Sequence, residues 1–176
     1  LPVNQSFPNQ FRHIKSGLLP RALDKRDLVV ENGRLIMVTS SLPGEGKTFT
    51  ALNLALSIVR DRELRVILVD ADVERPGLTP ALGLEDRPGL NDVLEDTGRD
   101  IGSVTYQTDI EGLFVVPAGK WHDQAPEFFA GSRMPLVIED LVRRVGNGVI
   151  VLDSPPLLAT NEAQVLSRYA GQILMI

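Results

Sequence analysis

A chain of 176 residues with 43% hydrophobic and 23% charged content is long enough for one well-buried domain, and its composition excludes a disordered or low-complexity protein. The formal net charge of −5, without a clustered basic tract, argues against a surface built to neutralise nucleic-acid phosphates, so no nucleic-acid partner is expected. The lack of cysteine excludes a disulfide framework and a thiolate metal site; it fits a reducing compartment, and the cytoplasm is the expected location.

The polar stretch from Pro2 to Gln10 has no signal-peptide core. No apolar run approaches the roughly 20 residues that span a bilayer, so membrane association would come through a partner. Phe11, Ile14, Leu18 and Leu19 recur at helical spacing and predict an amphipathic helix over 9–23, with Pro20 disturbing its last turn. This N-terminal segment, 1–30, precedes a domain over 31–176. Three short apolar runs rich in β-branched residues follow: Leu35 to Val38, Val66 to Val69 and Val149 to Leu152. Each ends where polar motif residues begin, as buried parallel strands do. A helix from Thr48 to about Arg60 separates the first two. Between the second and third lie Leu90 to Glu95, the run Leu113 to Val116 and a helical stretch from Leu136 to Val145. The alternation predicts an α/β, doubly wound, mostly parallel sheet whose ligand sits beyond the carboxyl ends of its strands.

All three polar motifs fall at those ends. The first, Ser41-Leu42-Pro43-Gly44-Glu45-Gly46-Lys47-Thr48, joins a strand to a helix and reads as a phosphate-binding loop. Small residues at Gly44 and Gly46 let successive backbone N–H groups close around a triphosphate, and the helix that follows aims its positive end at the same anion. Lys47 would reach the β- and γ-phosphates of ATP, and Thr48 would place its hydroxyl on Mg²⁺. Ser41 stands where the pattern usually has glycine, and it is small enough to turn tightly. The candidate nucleotide contacts are therefore Pro43, Gly44, Glu45, Gly46, Lys47, Thr48 and Phe49. The second motif, Asp70-Ala71-Asp72-Val73-Glu74-Arg75-Pro76, carries two carboxylates one residue apart; both reach one site only if the chain turns there, and Pro76 and Gly77 favour a turn. In the third, Asp153 ends a hydrophobic strand, the arrangement by which an NTPase supplies a carboxylate to its metal. His13 and His122 are too isolated for a metal site, and no Ser-His-Asp order has supporting context.

VTSSLPGEGKTFTALNLALS, VILVDADVERPGL, PGLNDVLED and VIVLDSPPLLATNEAQVLS together closely resemble the bacterial tyrosine kinases of exopolysaccharide synthesis, particularly the autokinases of exosortase systems. The resemblance implies a P-loop NTPase fold of the same broad group as the cell-division and partition ATPases, adapted to pass the γ-phosphoryl group of ATP to tyrosine. It assigns Lys47 and Thr48 to the first Walker motif, Asp70 and Asp72 to an additional acidic motif, and Asp153 to the Walker B position. Thr48, Asp70 and Asp153 would then hold Mg²⁺, and Asp72 or Asp70 would orient or deprotonate the attacking hydroxyl, two roles that the residues alone do not separate. The partition ATPases carry a signature lysine where Leu42 stands, which favours the kinase branch; the other reading is a partner-binding nucleotide switch with little kinase activity. The resemblance also implies a membrane-embedded activator of the chain-length-determinant type and a location at the inner membrane through it.

Members of that family carry a glutamate and two arginines on the N-terminal helix for a homo-oligomeric ring. The matching positions are Asn9, Arg12 and Lys15, and both an intersubunit contact and a solvated polar face stay open for them. A tyrosine cluster is absent: the chain has only Tyr106 and Tyr169, of which Tyr169 reads as a packing residue. Ile173 to Ile176 reads as a core strand that further helix, strand and tail should follow, so the kinase domain is expected to be cut short, with its adenine contacts beyond it. Arg75 either pairs with a carboxylate or remains solvated.

Overall fold

The computed structural model describes residues 7–23, 32–61 and 63–176, the first three of these by their backbone alone. The division placed between residues 30 and 31 falls outside the described residues, as does the side chain of Asn9. Six strands form one sheet in the order β3-β4-β2-β5-β1-β6. They are β1 (Leu35–Thr39), β2 (Arg65–Asp70), β3 (Tyr106–Gln107), β4 (Leu113–Val116), β5 (Gly148–Asp153) and β6 (Gln172–Met175). All pair in parallel except the short β3, which runs antiparallel to β4.

Helices cover both faces. α1 (Phe7–Leu23) and α2 (Lys47–Val59) pack on one side, where Phe11, Leu54 and Ile58 meet Ile36, Val38, Val66, Leu68, Val149 and Val151. The short α3 (Leu78–Ala81) seats Leu78 in the same layer. On the other side α4 (Leu90–Glu95), α5 (Ala125–Ala130), α6 (Arg133–Val145) and α7 (Asn161–Ser167) close over Leu35, Met37, Ile67, Val69, Ile150 and Leu152. The alternate residues of each strand thus go to opposite layers, and both layers are apolar, which is why β1, β2 and β5 read as unbroken hydrophobic runs.

α1 continues through Pro20 to Leu23, one turn further than a proline inside a helix ordinarily permits. Packing holds that end: Ala22 is buried, Leu18 and Leu19 lie against the α2 layer, and the Leu18 carbonyl accepts a hydrogen bond from Gln172 Nε2 at 3.1 Å. β6 forms where the last apolar run predicts a strand, but at the edge of the described sheet rather than in its middle. Among the described residues only β1 pairs with it, and Ile173 and Met175 are about half exposed.

β5 lies between β1 and β2 and carries the load of the core. Ile150→Ala, at a fully buried position of that strand, should cost about 2–5 kcal/mol, whereas Leu136→Ala on the exposed face of α6 should stay within about 0.5 kcal/mol; urea unfolding of the two variants checks the contrast.

Candidate functional site

The strand order puts the three motifs side by side. β1 ends in the phosphate-binding loop, β2 in Asp70 and β5 in Asp153, and the registers pair Val38 with Asp153 and Asp153 with Asp70. Hydrogen bonds lock the three strand ends together. Ser154 donates from both its backbone N–H and its hydroxyl to the Val38 carbonyl, Thr39 Oγ1 donates to the Pro155 carbonyl at 2.9 Å, and the Ala71 N–H donates to the Asp153 carbonyl at 2.8 Å.

The loop itself is built on two left-handed glycines, Gly44 at φ 83° and Gly46 at φ 95°, where any side chain would be strained. Gly46 is also the N-cap of α2, so the chain passes from the loop directly into the helix. The Glu45 carboxylate accepts the Leu42 N–H at 2.8 Å and steadies the loop. Phe49, in the first turn of α2, sets its ring edge-on against Phe11 of α1. Lys47 is buried.

A cavity of about 300 Å³ opens over this loop, lined by Pro43, Gly44, Lys47, Thr48, Asp72, Glu74, Arg75, Pro156, Ala159 and Thr160. Its size and polar rim suit part of a nucleotide. A slightly larger cleft, about 340 Å³, lies between α4 and α6 and contains none of the motif residues.

The second motif behaves as its two carboxylates require. β2 stops at Asp70, the chain turns, and Asp72 comes round to line the cavity while accepting the Arg75 N–H at 3.3 Å. Arg75 pairs with Glu74 at 3.7 Å and is largely exposed. The same loop then runs tightly past the first motif. A Cβ on Gly77 would come within 2.5 Å of Thr48 Oγ1, so only glycine allows this approach.

Asp70 and Asp153 are almost fully buried next to one another. Asp70 Oδ2 accepts two hydrogen bonds from Thr79, one from its N–H and one from its hydroxyl, both at 2.7 Å. Among the described residues, Asp70 Oδ1 and both oxygens of Asp153 meet no donor at hydrogen-bond geometry, although the Thr48 hydroxyl lies close enough to Asp153 to act on its charge. Burial pushes the Asp70 carboxyl up from 3.8 to about 6 against the opposing pull of Thr79, with the charge of Asp72 adding to the rise. Burial likewise pushes Asp153 up to about 7, the Thr48 hydroxyl offsetting part of it and Asp70 and Asp72 adding to it. Asp72 is also raised by burial, with the Arg75 N–H and Lys47 acting the other way.

Three orphaned buried oxygens beside a threonine hydroxyl are a donor set for a hard divalent cation. Among the described residues no cluster of three or more acidic or histidine groups could hold a metal by itself. Magnesium characteristically takes one or two carboxylates and leaves its other positions to phosphate and water. Asp153 and Thr48 are the residues that could hold such an ion, with Asp70 beside Asp153 in the strand register.

Residues 36–170 match the CobQ/CobB/MinD/ParA nucleotide binding domain. The chain belongs to that family. As a member it is a nucleotide-binding domain with the MinD-like P-loop fold. Among curated proteins it is 30% identical over 142 residues to the tyrosine-protein kinase wzc of Salmonella typhimurium, a match covering 81% of this chain and 19% of that protein. The chain thus spans about a fifth of such relatives. Among solved structures, the BceF tyrosine kinase domain is 28% identical with a TM-score of 0.77 over 96% of this chain and 63% of that one. The septum site-determining protein MinD of Pyrococcus horikoshii, solved with Mg-ADP, is 25% identical with a TM-score of 0.66 over 81% of this chain and 57% of that one.

Sequence reasoning did not single out Gly77 as a contact of Thr48, nor Thr79, Pro156, Ala159 and Thr160. Thr79 lies outside the quoted motifs, and the others lie inside them with nothing in their spacing to mark a contact; only folding brings those loops to the site. Gly77→Ala should leave the fold intact and displace the Thr48 hydroxyl; the amount of Mg²⁺ needed for tight nucleotide binding should rise about tenfold or more, as fluorescent-nucleotide titration would read. The raised carboxyls carry a further consequence. The folded state holds these protons more tightly than the unfolded chain does, so the metal-free protein loses stability as pH rises from about 4 towards 7. Asp153→Asn removes much of that loss, and thermal unfolding should find the variant more stable than the parent near pH 8 but less stabilised by Mg-ADP.

Proposed function

We propose that this chain is the ATP-binding domain of a bacterial protein-tyrosine autokinase that regulates exopolysaccharide synthesis and export. The observation that carries the reading is the convergence of Lys47 and Thr48 with Asp70, Asp72 and Asp153, and the similarity to tyrosine kinases supports its direction. Leu42, exposed at the position of the partition ATPases' signature lysine, favours the kinase branch.

Phosphoryl transfer asks a protein mainly for in-line placement and charge neutralisation. The loop amides and Lys47 hold the β- and γ-phosphates of ATP. Thr48 and Asp153 would hold Mg²⁺, which would supply positive charge to neutralise the phosphates. Asp72, which lines the cavity beside the phosphate loop, orients the attacking phenol and takes its proton, a role worth about 10²–10⁴-fold. A bond forms from the tyrosine oxygen to the γ-phosphorus as the bond to the β,γ-bridging oxygen breaks, and ADP leaves.

Neither tyrosine of this chain is presented to that cavity. Tyr106 donates its hydroxyl to the Pro88 carbonyl at 3.2 Å under the Arg87 guanidinium, and Tyr169 is half-buried against the α4–α7 layer. The acceptor is therefore proposed to come from another segment or another copy. A ring through α1 would rely on Arg12, which is exposed, because Lys15 is bound within the chain, 3.0 Å from Asp61. The proposed activator is a membrane-embedded protein of the chain-length-determinant type, which would bring the domain to the inner face of the membrane; no described helix is long and apolar enough to cross it. The second reading, a nucleotide switch that acts by binding a partner, draws on the likeness to MinD and on the two half-buried tyrosines.

Incubating the full-length protein with ATP and Mg²⁺ and mapping phosphotyrosine by mass spectrometry separates the two. Phosphotyrosine should form and should fall by at least about 10²-fold in Lys47→Met, with the fold kept. Phosphate release without phosphotyrosine would instead support the switch.

A further inference from the structure

Thr79 has no place in any of the three motifs, yet it is almost fully buried between the end of β2 and the loop that follows β4. Its hydroxyl oxygen accepts the Ala118 N–H at 2.9 Å, just past the end of β4. Its one hydroxyl hydrogen is then free for a single acceptor, and Asp70 Oδ2 lies 2.7 Å away. The Thr79 N–H reaches the same oxygen, also at 2.7 Å.

This arrangement has a fixed polarity. The Ala118 N–H can only donate, so Thr79 Oγ1 accepts there and turns its own hydroxyl hydrogen to Asp70 Oδ2. Asp70 Oδ2 therefore receives two donors and has no room to carry a proton or to turn. Its partner oxygen, Oδ1, is buried and meets no donor at hydrogen-bond geometry among the described residues, next in register to Asp153, whose two oxygens likewise meet none.

We infer that Thr79 is a positioning residue for the divalent cation: by gripping Asp70 Oδ2 from two directions it fixes the carboxylate so that Oδ1 alone faces the shared acidic cluster. The inference rests on the reading of the site as a magnesium-nucleotide centre and adds to it the orientation of one carboxylate. Partners that orient a metal-binding carboxylate typically change metal affinity about 10–100-fold when removed. Thr79 also ties the end of β2 to the loop after β4, so the carboxylate is held against the sheet and not merely against its own loop.

Thr79→Val keeps the branched shape and the backbone N–H but removes the hydroxyl; Thr79→Ser keeps the hydroxyl and removes the methyl group. Binding of N-methylanthraniloyl-ATP to the full-length protein is titrated with Mg²⁺ for each, and again in EDTA. Thr79→Val should raise the Mg²⁺ concentration for half-maximal tight binding by about tenfold or more, leave the metal-free nucleotide affinity within about twofold, and be rescued by Thr79→Ser. An unmoved Mg²⁺ midpoint in Thr79→Val, or equal shifts in both variants that follow their melting temperatures, would overturn the inference while leaving the site reading intact. A parent protein that binds the nucleotide with no dependence on Mg²⁺ would instead remove the site reading itself. A crystal structure of the parent with Mg-ADP supplies a measurement that needs no variant: Asp70 Oδ1 should face the cation's shell with both Thr79 bonds kept, and Oδ2 facing it would refute the inference.

Discussion

Two neighbouring carboxylates, Asp70 and Asp153, are buried at the ends of adjoining parallel strands with three of their four oxygens meeting no donor at hydrogen-bond geometry among the described residues, and the rest of the site is arranged around that fact. Taking an ionised carboxylate out of water without a partner is costly, and two together repel. Their carboxyls are raised to about 6 and about 7, mainly by burial, which measures how poorly the protein alone stabilises the charged forms. A fold keeps such a pair where a cation completes it. The two-layer core makes this possible by holding β2, β5 and β1 in register, so that relaxation of either acid towards solvent would require breaking the sheet.

The same constraint explains the glycines and hydroxyls nearby. Gly77 lets the acidic loop close on Thr48, and Thr48 in turn lies beside Asp153 at the start of α2. Ser154 and Thr39 spend their hydroxyls on carbonyls of the opposite strand end and so keep the phosphate loop and Asp153 at a constant separation. Hydrogen bonds that look like routine loop closure therefore set the geometry of the site.

Much of this was legible in the residues. β1, β2 and β5 are buried on both faces, so their hydrophobic runs are continuous and end abruptly where the polar motifs start; the strands, the phosphate loop and Asp153 could be read from that change alone. The helices with a wet face were legible too, although α6 begins at Arg133, a turn before the Leu136 that its apolar pattern marks. The order of the strands was not, because β5 inserts between β1 and β2 through contacts more than 80 residues apart in sequence. Nor was Thr79, whose role depends on Ala118, 39 residues away. β3 has two residues and no pattern of its own. The residues of the phosphate loop divided in a way that spacing does not show, since the Glu45 side chain braces the loop and the Phe49 ring packs on Phe11.

Calorimetric titration of the full-length protein with ADP, in Mg²⁺ and in EDTA and in two buffers of different ionisation enthalpy near pH 6.5, tests the central claim most directly. Binding should be at least about tenfold tighter with Mg²⁺, and the metal-bound complex should release protons as the buried carboxyls ionise. Equal affinity with and without Mg²⁺, with no buffer dependence of the heat, would contradict a cation shared between the nucleotide and the acids at these strand ends.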